Sequence, residues 1–172
     1  MPDERSSPKL HVVCGPPACG KTVYGRELAA REGAVFLDND IATEPVVQAG
    51  MEAAGLSRDD RDSPTYKKIF REPVYESLFR LADANLANLP VVVVGPFTNE
   101  SQDPGWPEKL EKRFGVPVQV HFVSCAPEVR KERMIARGET RDLAKLEKWA
   151  EYMQTTTEKR PPFPHVWVET GA

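Results

Sequence analysis

The stretch GPPACGKT, residues 15–22, stands directly behind the apolar run LHVVC and ahead of a helix-like segment. It fits the pattern G-x-x-x-x-G-K-[ST]. That pattern belongs between a strand and a helix, so it constrains the fold on both sides. Gly15 and Gly20 permit the tight wrap, with Pro16, Pro17, Ala18 and Cys19 between them. Backbone N–H groups turned inward, together with the positive end of the next helix, form an anion cradle. Lys21 is placed to reach the β- and γ-phosphates of a nucleotide, and Thr22 to offer its hydroxyl to Mg²⁺. Val23 completes the candidate nucleotide-binding set. The plain alternative is a glycine-proline turn. Cys19 reads as a small filler. Its place at a helix N-terminus could lower its pKa, and thiol oxidation there would then block nucleotide binding.

Around this loop the chain reads as one α/β unit. LHVVC (10–14), AVFLD (34–38), VVVV (91–94), VQVHFVS (118–124) and HVWVE (165–169) read as strands. Helical patterns fall at 21–33, 44–54, 63–89, 106–115, 127–138 and 141–159. Ser63 followed by Pro64 is a plausible helix start. Pro73 should kink or split the long segment. VVVV is apolar throughout, as a strand covered on both faces must be. In 141–159, Leu143, Leu146, Ala150 and Met153 share one face. Strands alternating with helices predict a parallel sheet with right-handed crossovers. At 172 residues a single domain is expected over 9–172, with residues 1–8 a loose tail.

Composition narrows the function class. The net charge is −3, so there is no basic surplus for coating nucleic acid. Cys14, Cys19 and Cys125 are odd in number and form no C-x-x-C pair, which fits a reducing compartment rather than a disulfide framework. The start MPDERSSPKL lacks an apolar core of signal-peptide length. No apolar run approaches the roughly 18 residues of a membrane span. A cytoplasmic protein, monomer or homodimer, is expected. His11, His121 and His165 fall in the expected strands, with no Cys/His cluster of zinc-site spacing.

Two further motifs bear on chemistry. In VFLDNDIA (35–42), Asp38 and Asp40 stand two apart at a strand end and point the same way if the strand persists. One carboxylate could hold a Mg²⁺-bound water while the other accepts a proton from an acceptor hydroxyl. Alternatively this is a solvated turn, with Asp40 capping the next helix. In VRKERMIARGETRD (129–142), Arg130, Arg133, Arg137 and Arg141 line one face if the helix runs past Gly138. They could clamp phosphates, or pair with Glu128, Glu132 and Glu139 on a solvated face.

On these motifs the chain, over roughly residues 9–170, resembles the small P-loop kinases. These comprise the shikimate and gluconate kinase-like group, the chloramphenicol phosphotransferases and the broader set of kinases assigned to the AAA family. The resemblance implies a three-layer P-loop NTPase fold, with five parallel strands in the order 2-3-1-4-5 and a small lid at about 130–160. It implies Mg²⁺-assisted transfer of the γ-phosphate of ATP to a hydroxyl of a small molecule. Lys21 then stabilises the transferring charge, Thr22 and Asp38 serve the metal, Asp40 is the base, and Arg133 and Arg137 come from the lid. Arg71, in the context FREPVYE, matches loosely an arginine that reaches an acidic substrate. The acceptor pocket would be lined by Asp40, Arg71, Tyr75, Pro96, Phe97 and Thr98. The sequence departs from the pattern at Gly95, where an aspartate often ends the third strand. It also ends three residues after the fifth strand, where relatives continue into a helix, which leaves base specificity open. A nucleotide, nucleotide-sugar or nucleic-acid end kinase is an alternative, with Phe97 and Trp106 as stacking aromatics. A nucleotide-binding regulatory module without chemistry is another.

Overall fold

The computed structural model describes residues 7–155 and 159–171. Most of the expected tail and the end of the 141–159 segment lie outside them. Five strands, β1 (Leu10–Cys14), β2 (Val35–Asp38), β3 (Val91–Val94), β4 (Val118–Ser124) and β5 (Val166–Glu169), form one sheet. All four pairings are parallel, in the order β2-β3-β1-β4-β5. His165 lies one residue before β5 rather than in it.

β-branched residues fill the middle of the sheet because both faces are covered. Val91 and Val93 face one layer, with Leu78, Phe79, Ala82 and Leu86 of helix α4 (Arg71–Leu86) and Trp106 and Leu110 of α5 (Trp106–Phe114). Val92 and Val94 face the other, with Leu28 and Ala29 of α1 (Lys21–Glu32). A third, smaller cluster of Val47, Met51 and Val74 joins α2 (Asn39–Ala53) to α4. Parallel strands all end on the same side of the sheet, so the turns after β1, β2, β3 and β5 converge there. That is where open α/β sheets bind ligands.

Three local expectations need correction, and the split expected of the long segment holds. The helix expected at 44–54 begins at Asn39, because Asp38 itself is the N-cap, accepting from the N–H groups of Asp40 and Ile41. The strand therefore does not persist to Asp40, and the two carboxylates do not project side by side from it. Nor does Asp40 cap the helix. The long segment is split into α3 (Pro64–Ile69) and α4, with the break at Phe70. Pro73 explains it: its ring would clash with the carbonyl four residues back, at Ile69. Helix α6 (Pro127–Arg137) stops at Gly138, whose φ of 62° is left-handed. The stop separates Arg141 from the other three arginines, and Arg130 is buried, its guanidinium over Trp149 and Tyr152. Finally, 141–159 contains two helices, α7 (Thr140–Glu147) and α8 (Trp149–Thr155), separated at Lys148. Leu143 and Ala150, expected on one face of a single helix with Leu146 and Met153, fall on separate helices and are exposed.

Candidate functional site

The loop after β1 turns on left-handed backbone at Gly15, Ala18 and Gly20, with φ of 139°, 59° and 89°. The Lys21 ammonium crosses it and donates to the Pro16 carbonyl at 2.6 Å. Burial lowers the Lys21 pKa, opposed by the charges of Asp40 and Asp38. The Thr22 hydroxyl donates to Asp38 Oδ2 at 2.8 Å. The other oxygen of Asp38 accepts from the Asp40 and Ile41 amides at 3.0 and 3.3 Å. One buried carboxylate thus joins the loop helix, the end of β2 and the start of α2. Thr22 and Asp38 together are a hard-oxygen pair of the kind that suits Mg²⁺. Among the described residues no group of three or more histidines, cysteines or acids could hold a metal ion unaided.

Asp40 is the second residue of α2, in its first turn, with its side chain half exposed to the cleft. Arg141 of α7 approaches its carboxylate at 3.0 Å and also pairs with Glu139. A second tie between α7 and the same wall runs from Lys145 to Asp62, at 2.6 Å. Arg137 lines the cleft, but its fork is held by the buried carboxylate of Asp142, with one bond at 2.8 Å. Arg133 reaches the loop itself. It donates to the Thr170 hydroxyl at 2.9 Å and to the Ala18 carbonyl at 3.4 Å.

These residues line one cleft of about 1720 Å³. Arg71, Tyr75, Pro96 and Thr98 line it too. Arg71 pairs with Glu100 at 2.8 Å and lies over the Tyr75 ring. Burial raises the Tyr75 hydroxyl above its usual value. Phe97 does not belong to this lining. It is fully buried, packed between the rings of Tyr75, Phe79 and Trp106. Trp106 is buried with it, so neither ring is available to stack on a base. The cause is the valine-rich face of β3 and β1, which the two rings cover.

Cys19 also faces away from the loop interior, into the layer beneath α1, with its Sγ 3.5 Å from that of Cys125. Burial pushes its thiol up to about 12, the neighbouring Cys125 adding to the effect. The helix N-terminus therefore does not make it reactive, and the expected oxidation at the loop loses its basis. Sequence reasoning missed Thr170, Tyr66, Arg61 and Lys145, all of which line the cleft. Nothing local to these residues marks them; their positions depend on how distant segments pack.

A family model described as an AAA domain matches residues 10–159. Three solved structures share the fold. A candidate kinase from Chloroflexus aurantiacus is 20% identical, with 96% of this chain and 89% of that one covered and a TM-score of 0.67. A gluconokinase from Sinorhizobium meliloti is 20% identical, with 98% and 86% covered and a TM-score of 0.63. A sugar kinase from a Janibacter species is 19% identical, with 95% and 86% covered and a TM-score of 0.59. At these identities the likeness is one of fold, that of the P-loop NTPases. No curated protein sequence matches the chain at a significant level. Among the described residues, no helix is long and apolar enough to cross a membrane.

Proposed function

From the premise that this chain belongs to the AAA domain family of P-loop proteins, we propose that it is a kinase. It moves the γ-phosphate of ATP to a hydroxyl of a small molecule. The observation that carries this reading is the Thr22–Asp38 contact with Asp40 beside it, at the mouth of the phosphate loop. A module that only switches shape on binding nucleotide needs no carboxylate open to an acceptor cleft.

The residues fit Mg²⁺ and nucleotide. Thr22 and Asp38 would hold the ion and its water shell, and the backbone N–H groups of 18–22 the phosphates, since Pro16 and Pro17 have none to give. When bound, Mg²⁺ supplies charge neutralisation along the phosphate chain. Lys21 and Arg133 add positive charge at the same place, and charge placed there in advance is the main source of rate in this chemistry. Asp40 accepts the proton of the acceptor hydroxyl. Arg71, Tyr75, Pro96 and Thr98 form the acceptor wall, and Arg137 joins the phosphates once Asp142 releases it.

The test is ADP release from Mg²⁺-ATP with a pooled library of hydroxylated metabolites, aminoglycosides, phenicols and nucleosides, against a blank without acceptor. Product mass identifies the acceptor. The expected result is an acceptor-dependent rise that falls about 10²- to 10⁴-fold in Asp40→Asn, the usual contribution of a general base. Tight Mg²⁺-ATP binding with no rise for any acceptor would favour the regulatory module instead.

A further inference from the structure

We infer that Thr170 is a positioning residue for this site: its hydroxyl fixes Arg133 against the phosphate loop. The inference rests on the phosphate-loop reading above. Thr170 follows β5, and its amide donates to the Ser124 carbonyl at 2.9 Å, extending the ladder with β4 by one bond. The backbone is therefore held, and the side chain projects over the loop. Its Oγ1 donates to the Cys19 carbonyl at 2.6 Å and accepts from Arg133 Nη1 at 2.9 Å. A hydroxyl has one proton to give and lone pairs to receive, and both capacities are used between these two partners.

The arrangement has a reason in the loop. A loop that turns its amides inward turns carbonyls outward, and those need partners once covered. Thr170 takes the carbonyl of Cys19 and Arg133 that of Ala18. The same contacts leave the guanidinium in a slot between two glycines. A β-carbon on Gly20 would lie 3.6 Å from Arg133 Nη1, and one on Gly171 would lie 2.9 Å from Nη2. The slot sets where the arginine lies. The Thr170 hydroxyl, with the shorter of the two bonds to Nη1, sets which way its fork turns, because the glycines have no side chain to hold it.

The probe is Mg²⁺-AMPPNP, a nucleotide that needs no acceptor, with affinity measured by calorimetry. Thr170→Val removes the hydroxyl at nearly constant shape and is expected to weaken binding about tenfold, the scale of one hydrogen bond to a charged group. Thr170→Ser restores the hydroxyl and is expected within twofold of wild type. Arg133→Ala should weaken binding at least as much as Thr170→Val, and the double variant should be no weaker than Arg133→Ala alone. Arg133→Lys keeps the charge but loses the fork, and should bind as weakly as Thr170→Val. Wild-type affinity in Thr170→Val or Arg133→Lys overturns the inference. So do effects of Thr170→Val and Arg133→Ala that multiply, or a Thr170→Ser as weak as the valine variant. Failure of the wild-type protein to bind the nucleotide at all would instead remove the phosphate-loop reading, and this inference with it.

Discussion

Gly15 carries the phosphate loop on a backbone that other residues rarely adopt, with φ of 139°. A β-carbon there would stand 2.1 Å from the Val123 carbonyl oxygen, a backbone atom that cannot swing away. Strain and clash add, so Gly15→Ala is expected to cost about 3 kcal/mol or more, together with nucleotide binding. Urea unfolding and nucleotide titration check it, and a variant of wild-type stability would contradict the geometry. The need for glycine here was legible in the sequence, but its collision partner was not. Val123 lies more than a hundred residues away and meets the loop only because β4 is the neighbour of β1. Cys19 shows the same limit. Its place in the loop was plain, but the direction of its side chain follows from the packing beneath α1.

At the scale of elements, Asp38 has two functions that can be separated. It caps α2 and it meets Thr22. Asp38→Ala removes both and should lower stability by about 1–2 kcal/mol, the usual loss for an N-cap. Asparagine caps a helix about as well as aspartate. Asp38→Asn is therefore expected to melt within a few degrees of wild type while losing most Mg²⁺-dependent turnover. Thermal melts beside a Mg²⁺ titration of activity decide it, and equal activity in the two proteins would take the metal role from Asp38. Helix starts and stops were largely written locally: Ser63 and Pro64 open α3, Pro73 forces the break before α4, and Gly33, Gly115 and Gly138 close three helices. The start of α2 was missed because an Asp-Asn-Asp run offers two capping residues. Only the strand's end at Asp38 chooses between them.

Across the whole molecule, a buried polar chain ties the sheet to the loop helix. The Tyr24 hydroxyl meets His121 Nδ1 at 2.8 Å, and His121 Nε2 meets His11 Nδ1 at 3.0 Å. Burial lowers the His11 pKa to about 4, with Lys9 adding to the effect. Burial and the neighbouring His11 lower that of His121 to about 3. An unfolded histidine titrates near 6.5. Between about pH 6.5 and 3 the unfolded chain therefore binds protons that the folded one refuses, first at His11 and then at His121, and stability falls as pH falls through that window. Below it, both states are protonated and the histidines contribute no further loss. His11→Gln removes one of the two sites and should flatten this slope while lowering stability at pH 7. Urea unfolding at stepped pH measures it, and an unchanged slope would show that the pair does not control acid lability.

The sequence by itself determined the phosphate loop, the alternation of strands and helices, the fully covered third strand and most helix ends. Those follow from backbone sterics, side-chain periodicity and capping, which act over a few residues. Strand order came only from the resemblance, and the structure agrees with it. Which side chains reach the cleft was decided by tertiary packing. Phe97 turned into the core, where the valines of β1 and β3 leave a face to be covered. Arg137 went to Asp142 and Arg141 to Asp40, because Gly138 ends the helix that would have aligned them. Thr170 came to the loop because β5 pairs with β4, bringing residues 19 and 170 within one hydrogen bond. Contacts of that kind carry no local signature, since their free energy depends on segments that approach only when the sheet is complete.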